Sequence, residues 1–102
     1  MSELSKILKS AREDRKIILR KVASELDIDQ SLISKFEKGE RKPTKEQLIK
    51  LAEFYNLPKQ DLLINWFADK IVYELKDVDY ANDVLIVAEE KIKYQKANQN
   101  AI

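Results

Sequence analysis

The sequence predicts an all-α fold, and its composition and residue spacing both support this prediction. The 102 residues include one glycine and two prolines, so few positions break a helix, and Leu, Ile, Lys, Glu and Ala are abundant. Apolar residues recur at intervals of three and four, which is the spacing of one helix face. A chain of this length can bury one core, so we expect one compact domain with a C-terminal extension.

Apolar spacing and helix-end residues place six helices in the sequence. They are predicted over roughly residues 3–14, 19–26, 30–38, 45–55 and 59–76, and a sixth begins after residue 77 or 79 and frays over residues 96–102. Asp29 can accept hydrogen bonds from the free amides of the third helix, and Gly39 is predicted to end that helix. Thr44 and Gln47 have the spacing of a capping box at the start of the fourth helix.

Only residues 27–29 separate the second helix from the third. So short a connection predicts that one helix lies across the other at a steep angle, as in a helix-turn-helix. The exposed face of the third helix could then enter a major groove. That face presents Gln30, Ser31, Ser34 and Lys35, which are residue types that bind base edges but are also common on solvated helices.

The charge distribution is uneven along the chain. Residues 1–60 carry 14 Lys and Arg against 10 Asp and Glu, whereas residues 61–102 carry 5 against 8. This asymmetry is expected if the first part of the chain binds a polyanion, and ordinary scatter of surface charge is the alternative.

Several function classes are disfavoured by what the sequence lacks. Cysteine and histidine are absent, which removes Ser-His and Cys-His catalysis and most transition-metal sites. We therefore expect no enzyme, no metal and no cofactor. No small-molecule effector is evident, because the chain is too short for a separate ligand-binding domain. No apolar run approaches the roughly 18 residues of a membrane span, and no signal region is apparent, so we expect a cytoplasmic protein.

The segment "LRKVASELDIDQSLISKFEKGERKPTKEQLIKLAEFYNLPKQDLL" carries a family resemblance. Its Ala23, the "LDID" turn and the run from Ile33 to Gly39 resemble, in type and spacing, the phage-repressor and Cro type of helix-turn-helix regulator, the XRE-like family. The resemblance covers about residues 4–64 and implies a five-helix repressor-like DNA-binding domain over residues 1–64, with an additional C-terminal helix. The chain departs from the family where Ile18 and Leu19 replace polar residues and Asp27 replaces the turn glycine.

The resemblance also implies roles for individual residues. Gln30, Ser31, Ser34 and Lys35 would read bases, and Arg12 would form a semi-buried ion pair with Glu37. Candidates for phosphate contacts are the basic residues around the turn, namely Arg15, Lys16, Arg20, Lys21, Lys38, Arg41 and Lys42. Lys9 and Lys45 are further candidates.

Residues 65–95 contain more apolar surface than one flank of a small domain needs, which predicts dimerisation. The expected interface residues are Trp66, Phe67, Ile71, Val84 and Leu85. The alternative is that the sixth helix folds back onto the fifth and completes a monomer core. This region resembles the tails of a bacterial subset of these regulators, some of them found beside restriction-modification genes.

Together these features predict a homodimeric, sequence-specific regulator that binds double-stranded DNA, either a repressor or an autoregulatory controller. Two alternatives remain open. One is the antitoxin of a toxin–antitoxin pair, whose C-terminal helix would bind a protein partner. The other is a protein-interaction domain that kept the fold and lost DNA binding.

Overall fold

The computed structural model describes residues 3–100, and this part of the chain forms six helices and no strands. They are α1 (Glu3–Asp14), α2 (Leu19–Leu26), α3 (Gln30–Lys38), α4 (Lys45–Phe54), α5 (Lys59–Leu75) and α6 (Ala81–Asn100). None of these helices is long and apolar enough to cross a membrane.

The observed helix ends agree with the predicted ones to within one residue for α1 to α5. The exception is the C-terminal end of α6, which is helical through Asn100, whereas fraying was predicted from residue 96 onward. Lys96, Ala97 and Gln99 are good helix formers and favour helix in this stretch, although its two asparagines do not. The last two residues of the predicted frayed tail, 101–102, lie outside the described part of the chain.

Local side-chain and backbone chemistry sets both ends of α3. Asp29 caps the first turn, because its Oδ1 accepts a hydrogen bond from the Ser31 amide at 2.8 Å. At the other end Gly39 adopts a left-handed conformation with φ 75°, and its amide donates to the Phe36 carbonyl at 3.2 Å. A capping box between Thr44 and Gln47 then begins α4.

The chain divides into two compact units, the first ending at Lys70 and the second beginning at Ile71. The predicted boundary lay earlier, after residue 64. Two clusters of buried side chains form the core of the first unit. One joins α1, α2, α3 and α4 through Leu8, Val22, Ile28, Ile33, Phe36, Leu51 and Tyr55, and the other joins α1, α4 and α5 through Leu4, Leu48, Ala52, Leu62 and Trp66.

The position of Trp66 corrects its predicted place in a dimer interface. Its side chain is 7% exposed and lies in the second core cluster beside Leu4 and Leu62. The indole Nε1 donates a hydrogen bond to the Pro43 carbonyl at 2.8 Å. Because the core of its own chain surrounds it, Trp66 is not available to a second subunit.

We predict that Gly39→Val lowers the free energy of unfolding by about 1 kcal/mol or more, because a Cβ branch is strained at positive φ. Gly39→Asn is the matched control and is expected to retain most of the stability, since Asn tolerates this conformation. Urea unfolding measures both variants. Equal stability of the Val variant and the unmodified chain would contradict the C-cap assignment.

Candidate nucleic-acid interface

The turn between α2 and α3 is held by backbone bonds and by one buried side chain. Asp27 adopts a left-handed conformation with φ 53°, and the amides of Asp27 and Ile28 both donate to the Ala23 carbonyl. The Ile28 side chain is buried in the first core cluster. Sequence reasoning missed this anchor, although a single apolar residue between two aspartates was a signal for it.

An ion pair joins α3 to α1. The Arg12 guanidinium donates two hydrogen bonds to the Glu37 carboxylate, from Nε at 2.8 Å and from NH2 at 3.0 Å, and a third from NH1 to the Ile17 carbonyl at 3.0 Å. This is the ion pair that the resemblance implied. The hydrogen bond to Glu37 raises the pKa of Arg12 despite its burial. Burial raises the pKa of the neighbouring Tyr55 to about 12, so the phenol stays neutral beside the pair.

The predicted base-reading residues share one face of α3, because their spacing follows the helix turn. Gln30, Ser31 and Lys35 are exposed and Ser34 is half-buried. Within residues 3–100, the Gln30 amide and the Lys35 ammonium make no direct hydrogen bond or ion pair. The Ser31 hydroxyl donates to Asp29 Oδ1 at 2.7 Å, which leaves its oxygen free to accept a hydrogen bond.

All seven predicted phosphate-binding residues are exposed, and five of them donate no side-chain hydrogen bond to a backbone carbonyl of the described residues. Lys16 lies in the turn after α1, Arg20 and Lys21 lie in the first turn of α2, and Lys38 and Arg41 lie at and beyond the end of α3. Lys21 contacts Glu25 at 3.7 Å, but both side chains are more than half exposed, so this pair is weak.

The other two predicted phosphate-binding residues are engaged within the protein. Arg15 donates a hydrogen bond to the Tyr55 carbonyl, and Lys42 donates to the Trp66 carbonyl at 2.8 Å. The Lys42 ammonium also lies 4.7 Å from the centroid of the Trp66 ring. Partial burial lowers the pKa of Lys42. Both side chains therefore support the fold directly, a role that their position in the sequence did not predict.

Two further lysines lie over aromatic rings. Lys45 was a further candidate for a phosphate contact, and Lys70 had no predicted role. The Lys70 ammonium is 4.3 Å from the Trp66 ring, and the Lys45 ammonium is 5.8 Å from the Phe67 ring. The four-residue spacing of Trp66 and Lys70 on α5 was a signal for the first contact. Together with Lys42 these residues place positive charge beside the loop that follows α3.

A carboxylate at the start of α3 is stabilised in its charged form. The hydrogen bond from the Ser31 hydroxyl and the bond from the Ser31 amide hold the pKa of Asp29 below its ordinary value. No group of three or more acidic side chains in residues 3–100 is placed to hold a metal ion.

One comparison with known proteins gave a match. A family model described as a helix-turn-helix domain matches residues 6–65, which include α1 to α4 almost entirely and the start of α5. The matched range contains the α2–α3 turn, the Arg12–Glu37 pair and the exposed face of α3. The comparisons with curated proteins and with solved structures gave no match.

We predict that Arg12→Ala and Glu37→Ala each lower the free energy of unfolding by about 3 kcal/mol, because each leaves a desolvated charge without its partner. The double variant is expected to lose clearly less than the sum of the two single losses. Chemical unfolding of all four proteins measures this coupling.

The exposed ion pair between Lys59 and Glu53, at 3.0 Å, provides the matched control for the Arg12 and Glu37 variants. Lys59→Gln is expected to change stability by less than about 0.5 kcal/mol. Strictly additive losses at Arg12 and Glu37 would show that the two residues do not act as a pair.

We predict that Asp29→Asn lowers stability at neutral pH and that the difference disappears in acid. Folding lowers the pKa of Asp29, so its charged form stabilises the folded state above the ordinary value of 3.8, and this contribution is lost as the pH falls through the folded-state pKa. Thermal unfolding of both proteins from about pH 7 to about pH 2 measures the difference. A difference that stays constant over this range would contradict the role of the charge.

Proposed function

Because this chain belongs to the helix-turn-helix domain family, we propose that it is a sequence-specific transcriptional regulator that places α3 in the major groove of double-stranded DNA. One observation carries the proposal. The exposed polar face of α3 lies on a helix whose opposite face is buried through Ile33, Phe36 and Glu37. A helix fixed in this way presents the same side chains to every groove that it enters.

The residues of this face have the chemistry that base recognition needs. The Gln30 amide can donate to and accept from adenine, and the Lys35 ammonium can donate to the acceptors of guanine. Ser31 and Ser34 are adaptable partners for either type of base edge. We assign sequence specificity to these four side chains.

Phosphate contacts would fix the position of the domain on the duplex. We assign them to the exposed basic side chains that donate no hydrogen bond to a backbone carbonyl of the described residues, namely Lys16, Arg20, Lys21, Lys38 and Arg41. Arg15 and Lys42 contribute differently, because their hydrogen bonds to backbone carbonyls hold the elements that carry the other contacts. Glu37 does not repel the phosphates strongly, because Arg12 neutralises its charge.

We further propose that the protein acts as a homodimer. Phe67, Ile71 and Leu85 are between 43% and 47% exposed, and Val84 is half-buried, so apolar surface remains for a second subunit. Two-fold symmetry then places DNA half-sites about one helical turn apart. The protein would repress transcription or control its own gene, in the cytoplasm of a bacterial cell, with occupancy set by protein concentration.

The exposed apolar residues of α6 also favour a second candidate function, an antitoxin whose tail binds a different protein. Light scattering on the purified chain separates the two candidates. Self-association into a stable dimer supports the regulator, and a monomer whose C-terminal part orders only with a partner supports the antitoxin.

The proposed function is tested by selecting bound sequences from genomic fragments and by measuring affinity for the selected site and for random DNA. We predict that Gln30→Ala weakens binding to the selected site by about tenfold, since one bidentate base contact contributes about 1–3 kcal/mol of discrimination. Affinity for random DNA should be unchanged. Gln60→Ala, an exposed glutamine in the first turn of α5, is the matched control.

Three results would contradict this proposal. Gln30→Ala could weaken binding to both DNAs equally, which would remove the base-reading role. Binding could be independent of salt, although phosphate contacts release counterions. The protein could also bind no genomic fragment, which would favour a protein-interaction domain of the same fold.

A further inference from the structure

Three lysine side chains of the first unit gather at two neighbouring aromatic rings. The rings of Trp66 and Phe67 pack edge to face, with their centroids 5.0 Å apart. The ammonium groups of Lys42 and Lys70 lie 4.7 Å and 4.3 Å from the Trp66 centroid, and that of Lys45 lies 5.8 Å from the Phe67 centroid. The rings attract these cations and so hold three like charges in one place. We call Lys42, Lys45 and Lys70 the lysine group.

The charge of the lysine group is not neutralised by an ion pair. All three side chains are exposed, and within the described residues none of them forms an ion pair with a carboxylate. Burial lowers the pKa of Lys42, the charge of Asp69 raises it and the charge of Lys70 lowers it. The two ammonium groups therefore repel each other, and an anion bound beside them would relieve this repulsion.

The lysine group lies beside the loop that leaves α3. The amides of residues 40–41 both donate to the Lys35 carbonyl, at 2.9 Å and 3.3 Å, so the chain turns back on the end of α3. Lys42 follows directly, and its hydrogen bond to the Trp66 carbonyl, at 2.8 Å, joins this loop to α5. The Lys42 and Lys70 ammonium groups are at most about 9 Å apart, because they lie 4.7 Å and 4.3 Å from the same centroid.

Two members of the lysine group have free donors for phosphate oxygens. Within the described residues the Lys45 and Lys70 ammonium groups donate no hydrogen bond, whereas Lys42 donates one to a carbonyl of its own chain. Each free ammonium offers three donors on a flexible stem, which suits a phosphate. A major groove that holds α3 has a phosphate backbone on either side, and the chain that leaves the end of the helix approaches one of them.

We propose that Lys45 and Lys70 contact phosphates of the DNA strand beside the groove that holds α3. Phe67 and Trp66 support their ammonium groups, and Lys42 keeps its role in holding the loop. The inference rests on the DNA-binding function proposed above and adds contacts to it. Lys70 lies beyond residues 6–65, which the helix-turn-helix family model matches, so its contact comes from a part of α5 outside that domain.

The salt dependence of DNA affinity tests this proposal. Affinity is measured between about 0.05 M and about 0.2 M salt, where each phosphate contact contributes about 0.9 to the slope of log affinity against log salt concentration. We expect Lys45→Gln and Lys70→Gln each to lower the slope by about 0.9 for every subunit bound, on the selected site and on random DNA alike. Lys70→Arg keeps the charge and is expected to retain the slope.

Lys76→Gln is the matched control for Lys70→Gln. The Lys76 ammonium lies 4.3 Å from the centroid of Tyr73, the same distance that separates Lys70 from Trp66. The control therefore removes the same charge and the same kind of ring contact, and it should leave the slope unchanged. Urea unfolding of every variant shows whether the core around Trp66 is intact.

Each contrary result has a distinct meaning. Unchanged slopes for Lys45→Gln and Lys70→Gln, with DNA binding by the unmodified chain, would overturn the inference and leave the proposed function standing. An equal loss of slope for Lys76→Gln would show a general effect of net charge and would also overturn it. Weaker binding at an unchanged slope would show that the two lysines only support the loop. No DNA binding by the unmodified chain would overturn both proposals.

Discussion

The orientation of α3 depends on the contact between Arg12 and Glu37. The guanidinium bridges two elements at once, because it binds the carboxylate on α3 and the Ile17 carbonyl in the turn after α1. Desolvation offsets much of the attraction in such a pair, so its main effect is geometric. With Ile33 and Phe36 buried on the same side, the pair fixes the rotation of α3 about its axis and thereby determines which side chains remain exposed.

The loop after α3 depends on reciprocal contacts with α5. Lys42 donates a hydrogen bond to the Trp66 carbonyl, and the Trp66 indole donates one to the Pro43 carbonyl. Each of the two segments therefore uses a side chain to bind a backbone carbonyl of the other. Gly39 ends the helix sharply, and these two bonds then hold the chain that follows it. The first part of α5 is for this reason integral to the first unit.

The features that the sequence predicted well are local ones. Asp29, Gly39 and Thr44 act on backbone groups within a few residues, so their types and spacing were sufficient to place the helix ends. The features that it did not predict join distant parts of the chain. Arg15 binds the carbonyl of Tyr55, 40 residues away, and a backbone carbonyl leaves no mark in the sequence.

On α5, apolar spacing did not predict which side chains are buried. It showed that Trp66 and Phe67 both belong to an apolar surface, but it could not decide which of the two faces the chain's own core. The structure buries Trp66 and leaves Phe67 47% exposed, with their rings edge to face at 5.0 Å. The apolar type of Trp66 and Phe67 showed that both lie on an apolar surface. Which of the two is buried depends on the position of α4 and the loop before it.

Trp66 is the single tryptophan of the chain, which gives it a spectroscopic consequence. Its indole is buried, bonded to the loop at Pro43 and flanked by the ammonium groups of Lys42 and Lys70. Indole emission is sensitive to polarity and to nearby charge, and the tryptophan fluorescence of the protein arises at the junction of this loop with α5. The molecule thus contains an optical reporter of the segment that adjoins α3, without any attached label.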